Sequence, residues 1–129
     1  MTDRRRVSTG TIWEGRVGYS RAIEAHGRIF VAGTVAADDR GVIHHADSAY
    51  QQTVYIIRKI ETTLRELDAS LSDVVRTRIF VTSMNHQDEV GRAHAEFFAD
   101  IRPACTMVAV KELADPSALV EIEADALRA

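Results

Sequence analysis

The C-terminal third most constrains what this chain can fold into. There Arg102-Pro103-Ala104-Cys105-Thr106-Met107-Val108-Ala109-Val110 is followed, after a polar loop, by Leu119-Val120-Glu121-Ile122-Glu123-Ala124. Both runs alternate, and a period of two marks a strand with two different faces. Cys105, Met107 and Ala109 alternate with Ala104, Thr106, Val108 and Val110; Glu121, Glu123 and Asp125 alternate with Val120, Ile122, Ala124 and Ala126. A strand that is acidic on one side and aliphatic on the other belongs in a sheet covered on one face only. Val108, Val110, Val120 and Ile122 are therefore expected in the covered core, and Cys105 and Glu121 in the floor of a site.

What covers that face is also legible. Ser48 and Gln51 have the spacing of a capping box, and Tyr50, Val54, Ile57, Ile60, Leu64 and Leu67 follow at steps of four and three. This predicts an amphipathic helix of about five turns. A second helix is expected over about Gln87 to Phe98, with Val90, His94, Phe97 and Phe98 on one side; His94 reads as a packed residue with its nitrogens satisfied locally. It should stop before Pro103, which also favours an extended Arg102.

Upstream, Arg21–Ala25 and Arg28–Gly33 flank His26-Gly27, a two-residue β-hairpin connection. Thr9 to Ser20 carries Gly10, Gly15 and Gly18 and is expected to be a loop presenting Trp13 and Tyr19. Asp38-Asp39-Arg40-Gly41 reads as a turn, and the His44-His45 doublet as solvated. Val74 to Val81 is a further strand, with Val75, Thr77, Ile79 and Val81 on one side and Arg76, Arg78 and Phe80 on the other.

The expected order is thus β, β, α, β, α, β, β: an α/β (α+β) domain spanning residues 1–129, a single mixed sheet with two helices on one face. With helices over Val75, Ile79, Val120 and Ile122, the other face is expected to carry Arg76, Arg78, Phe80, Cys105, Met107, Glu121, Glu123 and Asp125. Arginines and carboxylates around a few apolar groups suit a symmetric homo-oligomer interface with charges paired across subunits.

Composition narrows the function classes. At 129 residues and a formal net charge of -3, the chain fits one domain and lacks the basic surface of a phosphate-neutralising protein. Arg4-Arg5-Arg6 is too short to alter that and reads as a frayed or edge-strand cluster. No apolar run approaches the roughly 18 residues of a membrane span, and Met1-Thr2-Asp3-Arg4 leads no signal-like apolar core. The single cysteine rules out an intrachain disulfide, and the histidine and cysteine spacing suggests no zinc site. The expectation is a soluble, cytoplasmic protein that needs no cofactor or metal.

Arg-Pro-Ala-x-x-x-Val-x-Val-x-x-Leu at 102–113, Val-Glu-Ile-Glu-Ala at 120–124, Val-Ala-Gly-Thr at 31–34 and Ala-Glu-Phe-Phe at 95–98 together resemble the reactive intermediate deaminase (Rid, or YjgF) family, some of whose members are called endoribonuclease L-PSP. The resemblance implies a chorismate-mutase-like fold and a homotrimer with small-molecule clefts between subunits. It also implies hydrolysis of reactive enamines and imines, such as 2-aminoacrylate, to a 2-keto acid and ammonia. Carried across, the family's loop tyrosine falls on Tyr19 and its water-positioning carboxylate on Glu121. The arginine that grips the substrate carboxylate falls on Cys105, the usual cysteine on Met107 and a cleft asparagine on Gly91.

A thiol cannot form the bidentate pair that a guanidinium makes with a carboxylate, so standard 2-aminoacrylate deamination is expected to be weak. Arg102, Arg76 and Arg78 are the candidate replacements. The site expected from the sequence has Glu121 and Cys105 as catalytic candidates, with Tyr19, Trp13, Gly33, Thr106, Met107 and Arg102 as binding candidates. Backbone N–H groups near Gly33 or Thr106 would hold a carbonyl-like oxygen. The leading reading is an imine- or enamine-hydrolysing trimer acting on a small metabolite; the alternatives are a non-catalytic metabolite-binding or regulatory trimer and, more weakly, a ribonuclease.

Overall fold

A computed structural model describes residues 4–128; Met1–Asp3 and Ala129 lie outside the described residues. Six strands form one sheet: β1 (Arg5–Val7), β2 (Ala22–Ala25), β3 (Arg28–Thr34), β4 (Val74–Val81), β5 (Ala104–Ala109) and β6 (Val120–Leu127), in the order β1-β2-β3-β6-β4-β5. All neighbours are antiparallel except β4 and β5. Three helices accompany them: α1 (Ile12–Val17), α2 (Ala49–Glu66) and α3 (Gln87–Phe98). No helix among the described residues is long and apolar enough to cross a membrane.

The β2–β3 hairpin turns where expected, with His26 at φ 55° and Gly27 at φ 78°. Two successive positive φ values match the twist of the flanking strands. The arginine cluster is an edge strand: Arg5 reaches Asp68 at 3.3 Å and the buried Glu24 at 3.6 Å.

In α2 the Ser48 side chain caps the helix by accepting from the Gln51 N–H at 3.1 Å. The buried stripe is Ile56, Ile57, Ile60 and Leu64 with Gln52 and Thr53, continued by Leu67. Tyr50 and Val54 are only half-buried, so the stripe is rotated from the one expected. Gln52 replaces an apolar side chain because its amide is fully used, donating to Ser117 O at 2.9 Å and accepting from Leu119 N at 2.8 Å. Each buried aliphatic side chain contributes roughly 1.5–3 kcal/mol before entropy is counted. Tyr50 instead faces α3, donating to Glu96 beneath the Arg92 guanidinium.

Strand β4 departs from simple alternation. Its register against β6 shifts between Val74 and Arg76, so Val75 is an extra residue and stands 49% exposed, while Val74 fills the core. Thr77, Ile79 and Val81 face inward as expected. His94 on α3 is bonded to the buried Thr77 hydroxyl at 2.9 Å and stacks on Phe98, the packed role its position suggested. Helix α3 does stop before Pro103, but Arg102 is not extended: its φ is 54°, and its N–H closes a tight turn onto Phe98 O at 2.8 Å. That hydrogen bond offsets the strain of the left-handed conformation.

Candidate functional site

The register of β5 corrects the site drawn from the sequence. Cys105 pairs with Thr77 and Met107 with Ile79, both residues of the buried, helix-covered face. Paired residues share a face, so Cys105 and Met107 lie on the helix side, Met107 packing against the core and Cys105 exposed at the sheet edge. Glu121 pairs with Phe80, and Phe80 with Val108, on the opposite face. Cys105 and Glu121 of one chain thus project from opposite faces of the sheet. Val108 moves likewise, from an expected core residue to a 43% exposed one. The misassignment arose because β5 is parallel to β4, and nothing in β5's own alternation says which set faces the helices.

Glu121 occupies a distinctive position. Between the pairs Val31–Ala124 and Thr34–Ile122 the β3–β6 register slips, placing Ala32 and Gly33 opposite the single residue Glu123. The bulge presses Gly33 against the Glu121 side chain, and a β-carbon on Gly33 would overlap the Glu121 carboxylate. Glycine is needed here for close approach rather than for an unusual φ. Burial pushes the Glu121 carboxyl above the usual carboxylate value; the Arg21 guanidinium opposes the rise and Glu123 adds to it.

Arg21 is the residue that the sequence reading missed. It immediately precedes β2, donates from Nη2 to Gly33 O at 2.5 Å, and holds its guanidinium carbon 5.7 Å from the Tyr19 ring centroid. Tyr19, Arg21, Gly33 and Glu121 are thereby brought together. The signal for Arg21 was faint: an arginine at a strand end, two residues beyond the candidate tyrosine.

Tyr19 is placed by a short helix where a loop was expected. Buried Glu14 accepts from the hydroxyls of Ser8 at 2.7 Å and Thr9 at 2.6 Å and from Thr9 N at 3.2 Å, and Gly18 closes α1 at φ 86°. Burial works against its charge, but the hydrogen bonds win and hold the Glu14 carboxyl below its usual value. Beside α1 runs an open groove of about 770 Å³ lined by Arg6, Glu14, Tyr19, Phe30, Glu123 and Asp125 among others. Trp13 does not share it: 59% exposed, it has Arg16 over its ring at 5.9 Å.

The three arginines weighed as replacements stand elsewhere in the chain. Arg78 is tied to Glu123 at 3.4 Å and Asp125 at 3.3 Å, so these charges pair within one chain, where pairing across subunits was expected. Arg76 pairs in register with Asp125 and Ala104, four strand positions from the row of Glu121. Arg102 precedes that end of β5, more than about 13 Å along the strand direction from the Glu121 row. Thr106 shares the open face but lies opposite Arg78, one face-step from Val108. His44, expected to be solvated, is bonded to Asp38 at 3.0 Å and stacked on Tyr55.

Residues 13–128 match the family model described as Endoribonuclease L-PSP. The chain belongs to that family, the YjgF or Rid family. Its fold is that of solved YjgF proteins: Rv2704 of Mycobacterium tuberculosis, a member of the YjgF/YER057c/UK114 family, is 44% identical, with a TM-score of 0.88 over 97% of this chain and 99% of that one. An uncharacterized protein of Streptomyces coelicolor is 34% identical over 96% of this chain and 92% of its own length. The 3-aminoacrylate deaminase RutC of Acinetobacter baylyi is 31% identical over 81% of this chain and 82% of its own length.

Proposed function

We propose that this YjgF protein hydrolyses a small reactive imine or enamine, with Glu121 as the proton-transferring group. The observation that carries this reading is a half-buried carboxyl packed on Gly33 whose burial holds it above the usual carboxylate value, the direction that suits a group that must both take and give a proton. In the reaction, Glu121 takes a proton from water as the oxygen adds to the C=N carbon. The proton passes to nitrogen, the C–N bond breaks and ammonia leaves, giving the carbonyl product. Atoms balance with water as the only co-reactant. Tyr19 supplies a flat wall beside the reacting carbon.

The same reading makes the molecule a homotrimer with its clefts at the seams between subunits. Two features support it. The sheet face away from the helices is uncovered, with Phe30 46% exposed and Val108 close behind, and β5 is an exposed edge strand. In such an assembly Cys105, Thr106 and Arg102 approach Glu121 from a neighbouring chain instead of their own. A ribonuclease draws less support, because the groove carries Glu14, Glu123 and Asp125, whose charges repel a phosphodiester backbone.

The test is a panel of freshly generated imines, with and without a carboxylate, assayed with the wild-type protein and Glu121→Ala. Turnover that drops at least about 100-fold in the variant supports the proposal. Absence of turnover, combined with thermal stabilisation by keto-acid products, would replace it with a non-catalytic binding role.

A further inference from the structure

The groove beside α1 has a size and a lining that the hydrolysis of a small enamine does not call for. Its volume of about 770 Å³ lies within the roughly 300–1,000 Å³ of ligand sites and far exceeds what a three-carbon enamine fills. Its floor is one cross-strand row on the uncovered face of the sheet: Arg6 pairs with Ile23, Ile23 with Phe30 and Phe30 with Asp125. Phe30 stands inside that row, half-exposed on the groove floor. One bank is α1, where Gly15 and Gly18 line the groove and a β-carbon on either would meet nothing within 4 Å. Tyr19 continues that bank.

The groove runs along β6 towards Glu121. Glu121, Glu123 and Asp125 alternate on one face of the strand, so Glu123 lies about 7 Å and the Phe30 row about 13 Å from Glu121 in the strand direction. A substrate with its C=N carbon at Glu121 reaches Phe30 only through an elongated tail. The lining also selects on charge. Glu14, Glu123 and Asp125 line the groove, Arg6 is the one cation among its described lining residues, and Arg78 shares a single Nη1 between Glu123 and Asp125. Three carboxylates against two guanidiniums leave the groove acidic, which disfavours an anionic tail and accepts a neutral one.

We infer that this groove is the tail pocket of the site, taking the elongated, uncharged aryl or alkyl substituent of an imine that carries no carboxylate, with Phe30 setting tail selectivity. The inference deepens the hydrolytic reading and rests on it for the imine; the apolar, anion-excluding pocket stands without it. A second copy of the chain is the competing occupant, and the experiment separates the two.

Binding of 2-octanone, 2-butanone and octanoate is measured by titration calorimetry on wild-type protein, Phe30→Ala, Phe30→Leu and Gly15→Leu, with thermal melting of each variant. The long ketone is expected to bind at least about tenfold more tightly than the short one, and more tightly than octanoate. Phe30→Ala removes the floor and Gly15→Leu fills the groove from a helical position. Each should weaken 2-octanone about fivefold or more and leave 2-butanone unchanged, while Phe30→Leu keeps most of the wild-type affinity. The inference fails if affinity does not rise with tail length, if octanoate binds as well as 2-octanone, or if Phe30→Ala and Gly15→Leu bind 2-octanone like wild type. Equal loss of both ketones with a lowered Tm would mean that Phe30 serves only the fold, and the inference fails again. Binding of 2-octanone to a monomeric Val108→Glu variant but not to wild type would make the groove a seat for a second copy and overturn it. Imines generated in situ by oxidation of octylamine and of ethylamine separate this inference from the hydrolytic reading. Tail-selective binding without turnover of either imine sustains the pocket and removes the hydrolase. Equal turnover of both, unchanged in Phe30→Ala, does the reverse.

Discussion

The Glu121 carboxylate rests against the backbone of Gly33, so closely that no β-carbon fits between them. The contact exists because a bulge in β3 places two residues opposite Glu123 and turns Gly33 towards the next acidic side chain of β6. A half-buried acid, a glycine and the arginine that binds that glycine's carbonyl form one unit. Its behaviour can be tested residue by residue.

Gly33→Ala is expected to displace Glu121, costing about 1–3 kcal/mol of stability from overpacking together with most of any imine hydrolysis. Glu121→Ala removes the group that the new methyl strikes. In urea denaturation the double variant should therefore lose less than the sum of the two single losses. Additive losses would show that the two residues do not meet.

Burial holds the Glu121 carboxyl above the ordinary carboxylate value. If its ionised form accepts the proton, the acid limb of kcat/KM falls at a higher pH than an ordinary carboxylate would give. Glu123→Gln removes a neighbouring negative charge and should move that limb to lower pH. Arg21→Gln removes the opposing cation and should move it higher. Limbs that stay put in both variants would detach the pH profile from Glu121.

His94 is held neutral by burial, its pKa lowered from 6.5. The unfolded chain therefore binds a proton that the folded chain resists, and stability falls as pH drops below about 6.5 towards the folded value. Urea midpoints between pH 7.5 and 5 should show this decline, and His94→Gln should flatten it. Thr77→Val, which strips the hydroxyl bonded to His94, is expected to cost about 1 kcal/mol.

Val108 and Phe30 stand exposed on the uncovered sheet face. Light scattering of the wild type is expected to report three times the 14.3 kDa chain mass, and Val108→Glu a shift towards one. Cys105→Arg gives a sharper version of the same question. Its side chain leaves the face opposite Glu121 of its own chain, so tighter keto-acid binding in that variant would report a cleft shared between neighbouring chains.

The hairpin turn, the α2 cap and the two-layer architecture followed from the amino-acid order, because each depends on neighbours within a few residues: Ser48 and Gln51, His26 and Gly27, the alternation of β6; the short helix α1, read as a loop, did not. Glu121 and Tyr19 were named as site candidates through the resemblance to the family's motifs rather than through local pattern. What tertiary structure decided was registration. The extra residue at Val75 turned that side chain out of the core, and the pairing of Cys105 with Thr77 sent it away from Glu121. The bulge at Gly33 depends on β3 meeting β6 from the far end of the chain, whereas the bond from Arg21 to Gly33 spans only 12 residues across the β2–β3 hairpin. A period of two tells which residues share a face; only strand pairing tells which face it is.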